Sequence, residues 1–344
     1  MTAFYYCAVI REPNSIELET KAATVLGPQE VLVKLHFCGI CGTDLAIYSG
    51  RRAKELPYCP GHEYSGVIEA IGTQVSGLQV GDRVTANPNY VCGKCDFCLR
   101  EMYNLCENRD ITFFSNGAMA EYLAIDASAV YRLPDDLDFK TATLTEPLAC
   151  ALTGIESRPI EYADVILILG AGMMGLCYLE VLLERNVEAT IVVAEPVNAK
   201  RQLALDLGAD IAVGHRVTDV EEAIHKLGKD GFDLVIECSG SIEAVKNAIH
   251  LVRCGGTVLL VGRTGDDESI LIHPASIARS GVTISGSARL TPKNFERALE
   301  WLAKRRVKAQ NLLGKVFSLS EVQAAFDFAL TRQDVKVLLD CQLT

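Results

Sequence analysis

The spacing of hydrophobic positions changes near residue 155. Before it, short apolar runs with β character, such as Val31–Phe37 and Gly66–Ile71, are separated by Gly and Pro turns, and Gly77–Val84 predicts a turn followed by a strand. Runs of this kind favour an irregular, mostly β architecture. After residue 160 strands alternate with helices, which predicts βαβ units and a parallel sheet.

The second half of the chain carries most of the regular elements. The pattern predicts strands Asp164–Leu169, Ala189–Ala194, Leu234–Glu237, Thr257–Val261 and Thr283–Gly286, and helices over about Gly172–Arg185, Val197–Leu207 and Ser241–Leu251. A tail follows, with predicted helices Pro292–Lys304 and Leu319–Thr331 and a last strand Lys336–Asp340. A length of 344 residues suggests two domains, at roughly 150 residues each.

Charge and hydropathy narrow the classes of partner. The chain carries 33 basic and 44 acidic residues, a formal charge of −11, whereas nucleic acids and anionic membranes favour a basic face. A dinucleotide remains compatible with this charge, because helix ends and a few local cations can hold it. The N-terminal segment lacks a basic start, and every apolar run is far shorter than the ~20 residues of a membrane span. We therefore expect a cytoplasmic protein.

Four of the thirteen cysteines form a compact group, Cys92, Cys95, Cys98 and Cys106. Four thiolates at such short spacing can surround one Zn²⁺ tetrahedrally and leave no position for a reactant, so this site is predicted to be structural. The alternative is a loop of four unliganded thiols, which would be prone to oxidation. The scattered cysteines are interpreted as small buried apolar residues; these are Cys7, Cys59, Cys150, Cys177, Cys254 and Cys341.

A second set of metal-binding residue types lies around the segments Gly39–Asp44 and Gly61–Glu63. Cys41, His62, Glu63 and Glu146 offer thiolate, imidazole and carboxylate groups, and a catalytic zinc needs three protein ligands and one open position. Cys38 forms a C-x2-C pair with Cys41, so spacing alone leaves open which of these two cysteines binds metal.

Glu146 is interpreted as part of this reactive site. It follows an apolar, Thr-rich run, where an unpaired carboxylate would be costly to bury. It also precedes Pro147, whose ring favours an extended conformation at the residue before it. The alternative is an exposed carboxylate at a domain hinge.

A glycine fingerprint opens the second half. The apolar run that ends at Leu169 leads into Gly170-x-Gly172-x-x-Gly175 and an apolar helix, which is the context a dinucleotide site requires. The pyrophosphate would lie on the helix N-terminus. Glu195 stands at the end of the next predicted strand, where a carboxylate accepts hydrogen bonds from ribose hydroxyls and repels the 2′-phosphate of NADP. Lys200 and Arg201 follow, so some tolerance of NADP is also compatible with the sequence.

The motifs occur in the order GICGTD, GHE, four-cysteine lobe, EPL segment and glycine fingerprint. This order resembles the zinc-containing medium-chain dehydrogenase/reductase superfamily, and within it the sorbitol (polyol) and threonine dehydrogenase branch. The resemblance implies an α/β protein with a GroES-like, mostly β catalytic domain and a Rossmann domain with a doubly wound parallel sheet. The implied limits are residues 1–153 with 290–344 for the catalytic domain and its two zinc sites, and 154–289 for the Rossmann domain.

The resemblance also implies roles for single residues. Cys41, rather than Cys38, and His62 bind the catalytic zinc; of Glu63 and Glu146, one ligates the metal and the other binds its water. Thr43 accepts the substrate proton, and Arg289 contacts substrate or the zinc water. The coenzyme residues implied are Gly170, Gly172, Met173, Met174, Gly175, Glu195, Lys200, Cys238 and Val261. Where many relatives carry a relay histidine this chain has Ala46, so the proton outlet beyond Thr43 is undetermined.

The activity implied is oxidation of a secondary alcohol, such as a polyol, sugar alcohol or cyclitol, to a ketone by hydride transfer from a zinc-bound alkoxide to NAD. The expected cofactors are two Zn²⁺ per chain and NAD, with NADP less favoured, in a homodimer or homotetramer. The alternatives are L-threonine 3-dehydrogenase or another zinc alcohol dehydrogenase, a zinc-free NADPH-linked reductase, and a non-enzymatic protein on the same fold.

Overall fold

The computed structural model of the chain describes residues 4–23, 25–89, 91–108, 117–156, 165–265 and 267–342. They form two compact units, one of Met1–Ala149 with Thr291–Thr344 and the other of Cys150–Leu290. The domain limits expected from the resemblance fall a few residues from these and stay a prediction. The described part of the chain contains no helix long and apolar enough to cross a bilayer.

Antiparallel strands dominate the first unit. The strands are β1 (Phe4–Glu12), β2 (Ser15–Ala22), β3 (Glu30–Gly39), β4 (Glu63–Ile71), β5 (Arg83–Ala86), β6 (Tyr122–Asp126), β7 (Val130–Arg132), β14 (Leu313–Ser318) and β15 (Lys336–Asp340). β1 pairs with β2, and the others form a sheet in the order β14-β15-β3-β4-β5-β7, with β6 also paired to β3. The last strand, β15, pairs antiparallel with β3, so the tail completes the sheet of the first unit.

Short helices connect these strands. They are α1 (Gly42–Tyr48), α2 (Asp96–Leu99), α3 (Phe139–Ala142), α4 (Thr145–Glu156), α10 (Pro292–Ala303) and α11 (Val322–Leu330). The chain passes from the first unit to the second within α4. One core cluster joins the inner faces of β1, β3 and β4 to α11 through residues such as Ala8, Val33, Ile68 and Phe326.

The second unit is built from alternating strands and helices. Its strands are β8 (Val165–Leu169), β9 (Thr190–Ala194), β10 (Ile211–Val213), β11 (Phe232–Glu237), β12 (Val252–Leu260) and β13 (Thr283–Gly286). Its remaining helices are α5 (Met173–Glu184), α6 (Asn198–Leu207), α7 (Val217–Lys226), α8 (Ile242–Leu251) and α9 (Pro274–Ser280). All neighbours in the order β10-β9-β8-β11-β12-β13 are parallel. This order is the doubly wound Rossmann arrangement, with its switch point between β8 and β11.

Differences from the sequence pattern are local. The predicted helix Leu319–Thr331 is a 3-10 turn, Leu319–Glu321, followed by α11. The pattern did not predict several elements of the structure, among them α4, β10, α7, α9 and β14. Asp164, the first residue of a predicted strand, lies outside the described residues; the strand itself begins at Val165.

Candidate active site

Helix α1 begins beside the first candidate metal ligand. Cys41 is its N-cap residue, and the carboxylate of Asp44 accepts the backbone N–H of Cys41 at 3.0 Å. The other oxygen of Asp44 accepts the backbone N–H of Gly61 at 3.3 Å. Asp44 is completely buried. One acidic side chain therefore fixes the loop of Cys41 against the loop that carries His62.

The ligand atoms of Cys41, His62 and Glu63 all lie within 4.8 Å of one another. Thiolate, imidazole and carboxylate are the three ligand types of zinc, and a set of three leaves one position for water or substrate. The Nδ1 atom of His62 lies 3.7 Å from Asp44, and a carboxylate in this position orients a ligating histidine ring.

The charges around His62 favour a cation. Burial alone would lower the pKa of His62, but the neighbouring Cys41 and Asp44 side chains raise it well above its usual value. These two neighbours stabilise positive charge at the ring, either as a proton or as a bound metal ion. The residues present therefore fit a zinc ion.

Glu63 is also held from outside the cluster. Its Oε2 accepts a short hydrogen bond from Nζ of Lys336, the first residue of β15, and both side chains are 2% exposed. The same ammonium donates to the carbonyl of Ile40 at 3.2 Å. A Cβ at Gly39 would clash with the Glu63 carboxylate, so glycine at this position leaves room for the pair. Lys336 was not predicted from the sequence, because nothing in the spacing connects the tail to residue 63.

Glu146 is outside the three-residue cluster, and its role stays a prediction. It lies half-buried in the first turn of α4. The extended conformation expected before Pro147 was wrong, because a proline is tolerated in the first turn of a helix, where its missing N–H costs nothing. Burial would lower the pKa of Lys336, but the charges of Glu63, Cys41 and, more weakly, Glu146 raise it. Glu146 thus acts electrostatically on the group that holds Glu63.

The four cysteines of the lobe meet in space. All four sulfur atoms lie within 4.8 Å of one another, and Sγ–Sγ distances are 4.0 Å for Cys92 and Cys98 and 3.9 Å for Cys95 and Cys106. A tetrahedral zinc with Zn–S bonds of about 2.3 Å separates its sulfurs by about 3.8 Å, whereas a disulfide needs about 2.0 Å. The spacing fits a tetrathiolate zinc site.

Backbone N–H groups of the lobe lower the pKa of two of its four cysteines. The N–H of Lys94 is the main cause that lowers the pKa of Cys92 to about 6, and the N–H of Glu107 acts likewise on Cys95. Gly93 has a φ of 67° and makes this turn possible. Cys98 is different, because burial raises its pKa to about 12, so metal binding must displace its proton.

The glycine fingerprint joins β8 to α5 as expected, and its glycines differ in function. Gly170 has a φ of 98°. A Cβ at Gly175 would lie 1.8 Å from the carbonyl oxygen of Gly170, so this glycine permits close packing of helix and strand. A Cβ at Gly172 would meet nothing within 4 Å. Gly172 therefore leaves open space at the helix N-terminus, where a pyrophosphate would lie.

Glu195 follows β9 and is 7% exposed. One carboxylate oxygen accepts the backbone N–H of Ala171 at 2.8 Å, and the other accepts that of Val197 at 3.1 Å. Glu195 thus fixes the glycine loop through the hydrogen bond from Ala171, a role that was not predicted from the sequence. The guanidinium of Arg201 donates to the carbonyls of Glu195 and Pro196 at 2.6 and 2.8 Å.

Cys238 and Val261 directly follow the carboxyl ends of β11 and β12, the edge where doubly wound sheets bind ligands. The buried Glu237 accepts the backbone N–H groups of Ser239 and Gly240, and Val261 donates to the Glu237 carbonyl at 2.9 Å. Burial raises the pKa of the Glu237 carboxyl. Glu237 therefore holds the loops that follow β11 and β12, a role that was not predicted from the sequence.

The remaining predicted residues lie on their expected elements. Thr43 is half-buried in α1, beside Cys41. Met173 and Met174 open α5, and Lys200 is a buried residue of α6. Arg289 is exposed, with a φ of 55°, and belongs to the second unit. Their roles in catalysis and coenzyme binding stay predictions.

Known proteins share both halves of this architecture. Residues 27–135 match the alcohol dehydrogenase GroES-like domain family, and residues 174–304 match the zinc-binding dehydrogenase family. Sorbitol dehydrogenase of Halalkalibacterium halodurans is 32% identical over 94% of each chain. The chain belongs to the zinc-binding dehydrogenase family. The predicted membership of the medium-chain superfamily and of its polyol branch is confirmed, and the protein is an oxidoreductase of the zinc-dependent alcohol and polyol dehydrogenase type.

Solved structures agree with the fold. A Sinorhizobium meliloti 1021 protein described as a zinc-binding dehydrogenase, solved with NADP, superposes with a TM-score of 0.90 at 30% identity, over 98% of this chain and 100% of that one. An Escherichia coli CFT073 protein described as a short chain alcohol dehydrogenase, solved with NADH, superposes with a TM-score of 0.88 at 27% identity, over 98% of this chain and 100% of that one. The predicted α/β fold, with GroES-like and Rossmann parts, is confirmed.

Proposed function

We propose that this dehydrogenase oxidises a secondary hydroxyl of an acyclic polyol or a cyclitol to a ketone, using NAD and two Zn²⁺ per chain. The observation that carries the proposal is the cluster of Cys41, His62 and the buried Glu63, in which a carboxylate completes the set of three ligands. The second zinc would be held by the four-cysteine lobe, whose four ligands would leave no open position, and it would be structural.

Cys41, His62 and Glu63 would hold the catalytic zinc. Such an ion acts as a Lewis acid that lowers the pKa of a hydroxyl group bound beside it. Asp44 orients the His62 ring, and Lys336 anchors one oxygen of Glu63. Thr43, in the first turn of α1, is the proposed proton acceptor. Glu146 is proposed to bind the water or substrate hydroxyl in the open position.

NAD is the proposed coenzyme, and its nicotinamide ring would accept the hydride. The support is Glu195, whose buried carboxylate adjoins the glycine loop and would oppose a dianionic 2′-phosphate. The structural relatives include complexes with both NADP and NADH, so the fold alone leaves the choice open. Glu195→Ala should weaken NAD binding and relieve the rejection of NADP. Equal kcat/KM for the two coenzymes in the native enzyme would contradict this assignment.

A polyol is proposed because Glu146 occupies the position where ethanol-type relatives carry a cysteine ligand, and because the protein resembles a sorbitol dehydrogenase. The test is a panel of sorbitol and other acyclic polyols, cyclitols, L-threonine and simple secondary alcohols, each with NAD⁺ and with NADP⁺. A polyol should give the highest kcat/KM. L-Threonine as the best substrate would replace the polyol assignment while leaving the metal site intact. No turnover in zinc-loaded enzyme would overturn both.

Glu146→Gln tests the proposed fourth group. It should lower kcat by about 10- to 100-fold, the usual cost of losing a polar group that supports a metal site. The control is Glu156→Gln, an exposed glutamate at the other end of the same helix, which should leave kcat unchanged. Zinc in the cysteine lobe should persist in both variants. Normal turnover of Glu146→Gln would remove Glu146 from the site.

The resemblance also supports a homodimer or homotetramer, which light scattering at several protein concentrations would test.

A further inference from the structure

A second cluster of reactive side chains lies in the first unit, apart from both metal-binding sets. It consists of Cys7 on β1, Lys21 on β2 and Cys59, which precedes β4. The ammonium of Lys21 donates to Sγ of Cys59 at 3.0 Å. Neither cysteine belongs to the ligand groups found among the described residues, and the sequence analysis treated both as inert apolar residues.

Strand register brings the three residues together. Cys7 pairs with Glu19 and Tyr5 with Lys21 in the β1–β2 hairpin, so Cys7 and Lys21 are diagonal neighbours on one face. Ile10 and Tyr58 exchange backbone hydrogen bonds of 2.8 and 2.9 Å, which brings the Cys59 segment alongside β1. Both cysteines belong to the same core cluster.

The two sulfur atoms differ in charge and in access. A hydrogen bond from Cys7 is the largest cause that lowers the pKa of Cys59, to about 6; burial opposes this shift, and Lys21 adds to it. The same interaction, with burial, raises the pKa of Cys7, which stays a thiol. Cys59 is 7% exposed and Cys7 is 2% exposed, so Cys59 is the more accessible of the two cysteines. A thiolate beside a neutral thiol is the arrangement of an attacking and a resolving cysteine.

We propose that Cys7, Lys21 and Cys59 form an oxidative modification site, at which hydrogen peroxide converts Cys59 and Cys7 into a disulfide. The Cys59 thiolate attacks one peroxide oxygen, the O–O bond breaks, and hydroxide leaves as Cys59 becomes a sulfenic acid. The Cys7 sulfur then attacks the Cys59 sulfur, and the Cys7 proton and the sulfenic hydroxyl leave as water. The two thiols lose two electrons, and the peroxide is reduced. Lys21 stabilises the attacking thiolate.

The experiment uses the zinc-loaded enzyme and a small excess of hydrogen peroxide. Samples are quenched over time by alkylation and analysed by non-reducing peptide mass mapping. A Cys7–Cys59 linkage that dithiothreitol reverses should appear about tenfold faster than oxidation of Cys254, an exposed cysteine that serves as the internal reference. Oxidation of Cys254 with Cys59 untouched would overturn the proposal, as would a Cys59–Lys21 linkage through an added oxygen.

Variants separate the roles of the three residues. Cys7→Ser, and Cys7→Ala if the serine variant folds poorly, should stop at a Cys59 sulfenic acid that dimedone traps. Lys21→Met should slow the reaction of Cys59 about tenfold, because the thiolate fraction falls, and Lys21→Arg should restore most of the rate. Lys246→Met, which removes an exposed lysine in the second unit, is the matched control. Equal rates for Lys21→Met and Lys246→Met would show that Lys21 does not activate Cys59.

Discussion

Replacing Lys336 by Met tests how the buried carboxylate beside the metal site is maintained. Lys336 and Glu63 are each 2% exposed, and the ammonium of Lys336 also donates to the carbonyl of Ile40. The variant leaves the Glu63 carboxylate buried without its counter-ion. Removing one partner of a buried ion pair costs about 3–5 kcal/mol, because the remaining charge is desolvated and uncompensated.

Zinc should reduce this cost. A cation held by Cys41 and His62 would lie close to the Glu63 carboxylate and would replace the lost positive charge. The loss of stability should therefore be about 3–5 kcal/mol in excess chelator and clearly smaller in the presence of zinc, while zinc affinity rises relative to the native protein. In a unit of roughly 150–250 residues, each kcal/mol corresponds to a shift of about 2–4 °C in Tm.

The assay is urea unfolding and thermal melting with chelator and with zinc, together with zinc titration of the native state. Lys304→Met is the matched control, because it breaks an exposed pair with Glu300 and should cost at most about 1 kcal/mol. In chelator, Lys336→Met combined with Glu63→Leu should recover much of the loss. If Lys336→Met behaves like Lys304→Met in chelator, Glu63 does not depend on Lys336 for its charge, and the reasoning fails.

Three further predictions follow from single contacts. Cys98→Ser should remove one zinc per chain in elemental analysis and lower Tm, since a structural zinc contributes folding free energy; unchanged metal content and Tm would exclude the lobe as a zinc site. Gly175→Ala should lower the Tm of the second unit, because the new Cβ would clash with the carbonyl oxygen of Gly170. Gly172→Ala should leave the Tm unchanged, since its Cβ would meet nothing within 4 Å, but it should weaken NAD binding measured by calorimetry. Asp138 caps α3; burial would raise the pKa of its carboxyl, but the N–H of Thr141 lowers that pKa below the ordinary 3.8. The cap contributes about 1 kcal/mol to stability above pH 3.8, and this contribution is lost as the pH falls through the lowered pKa. Asp138→Ala should therefore make the free energy of unfolding less dependent on pH on the acid side.

Patterns within a short stretch of chain could be predicted from the sequence. The alternation of β8, α5 and β9 follows from hydrophobic periodicity, and the glycine fingerprint follows from backbone geometry that few other residues can adopt. The cysteine lobe spans fifteen residues, so its four sulfurs converge with little help from the rest of the fold. Gly172 and Gly175 belong to one motif, but only the contacts show that one leaves space and the other avoids a clash.

Contacts between distant segments were decided by the tertiary structure. Lys336 meets Glu63 because β15 pairs with β3, which lies beside β4, and no local pattern encodes that register. The same holds for Lys21 and Cys59, which meet through strand pairing and a bridge at Tyr58. Glu146 was expected in an extended segment, but it lies in the first turn of a helix, where tertiary context overrides the local preference before proline. The order of amino acids specifies which chemical groups are present and which short motifs they form. The fold decided which of these groups share a buried environment, because burial and pairing depend on chain segments that are far apart in sequence.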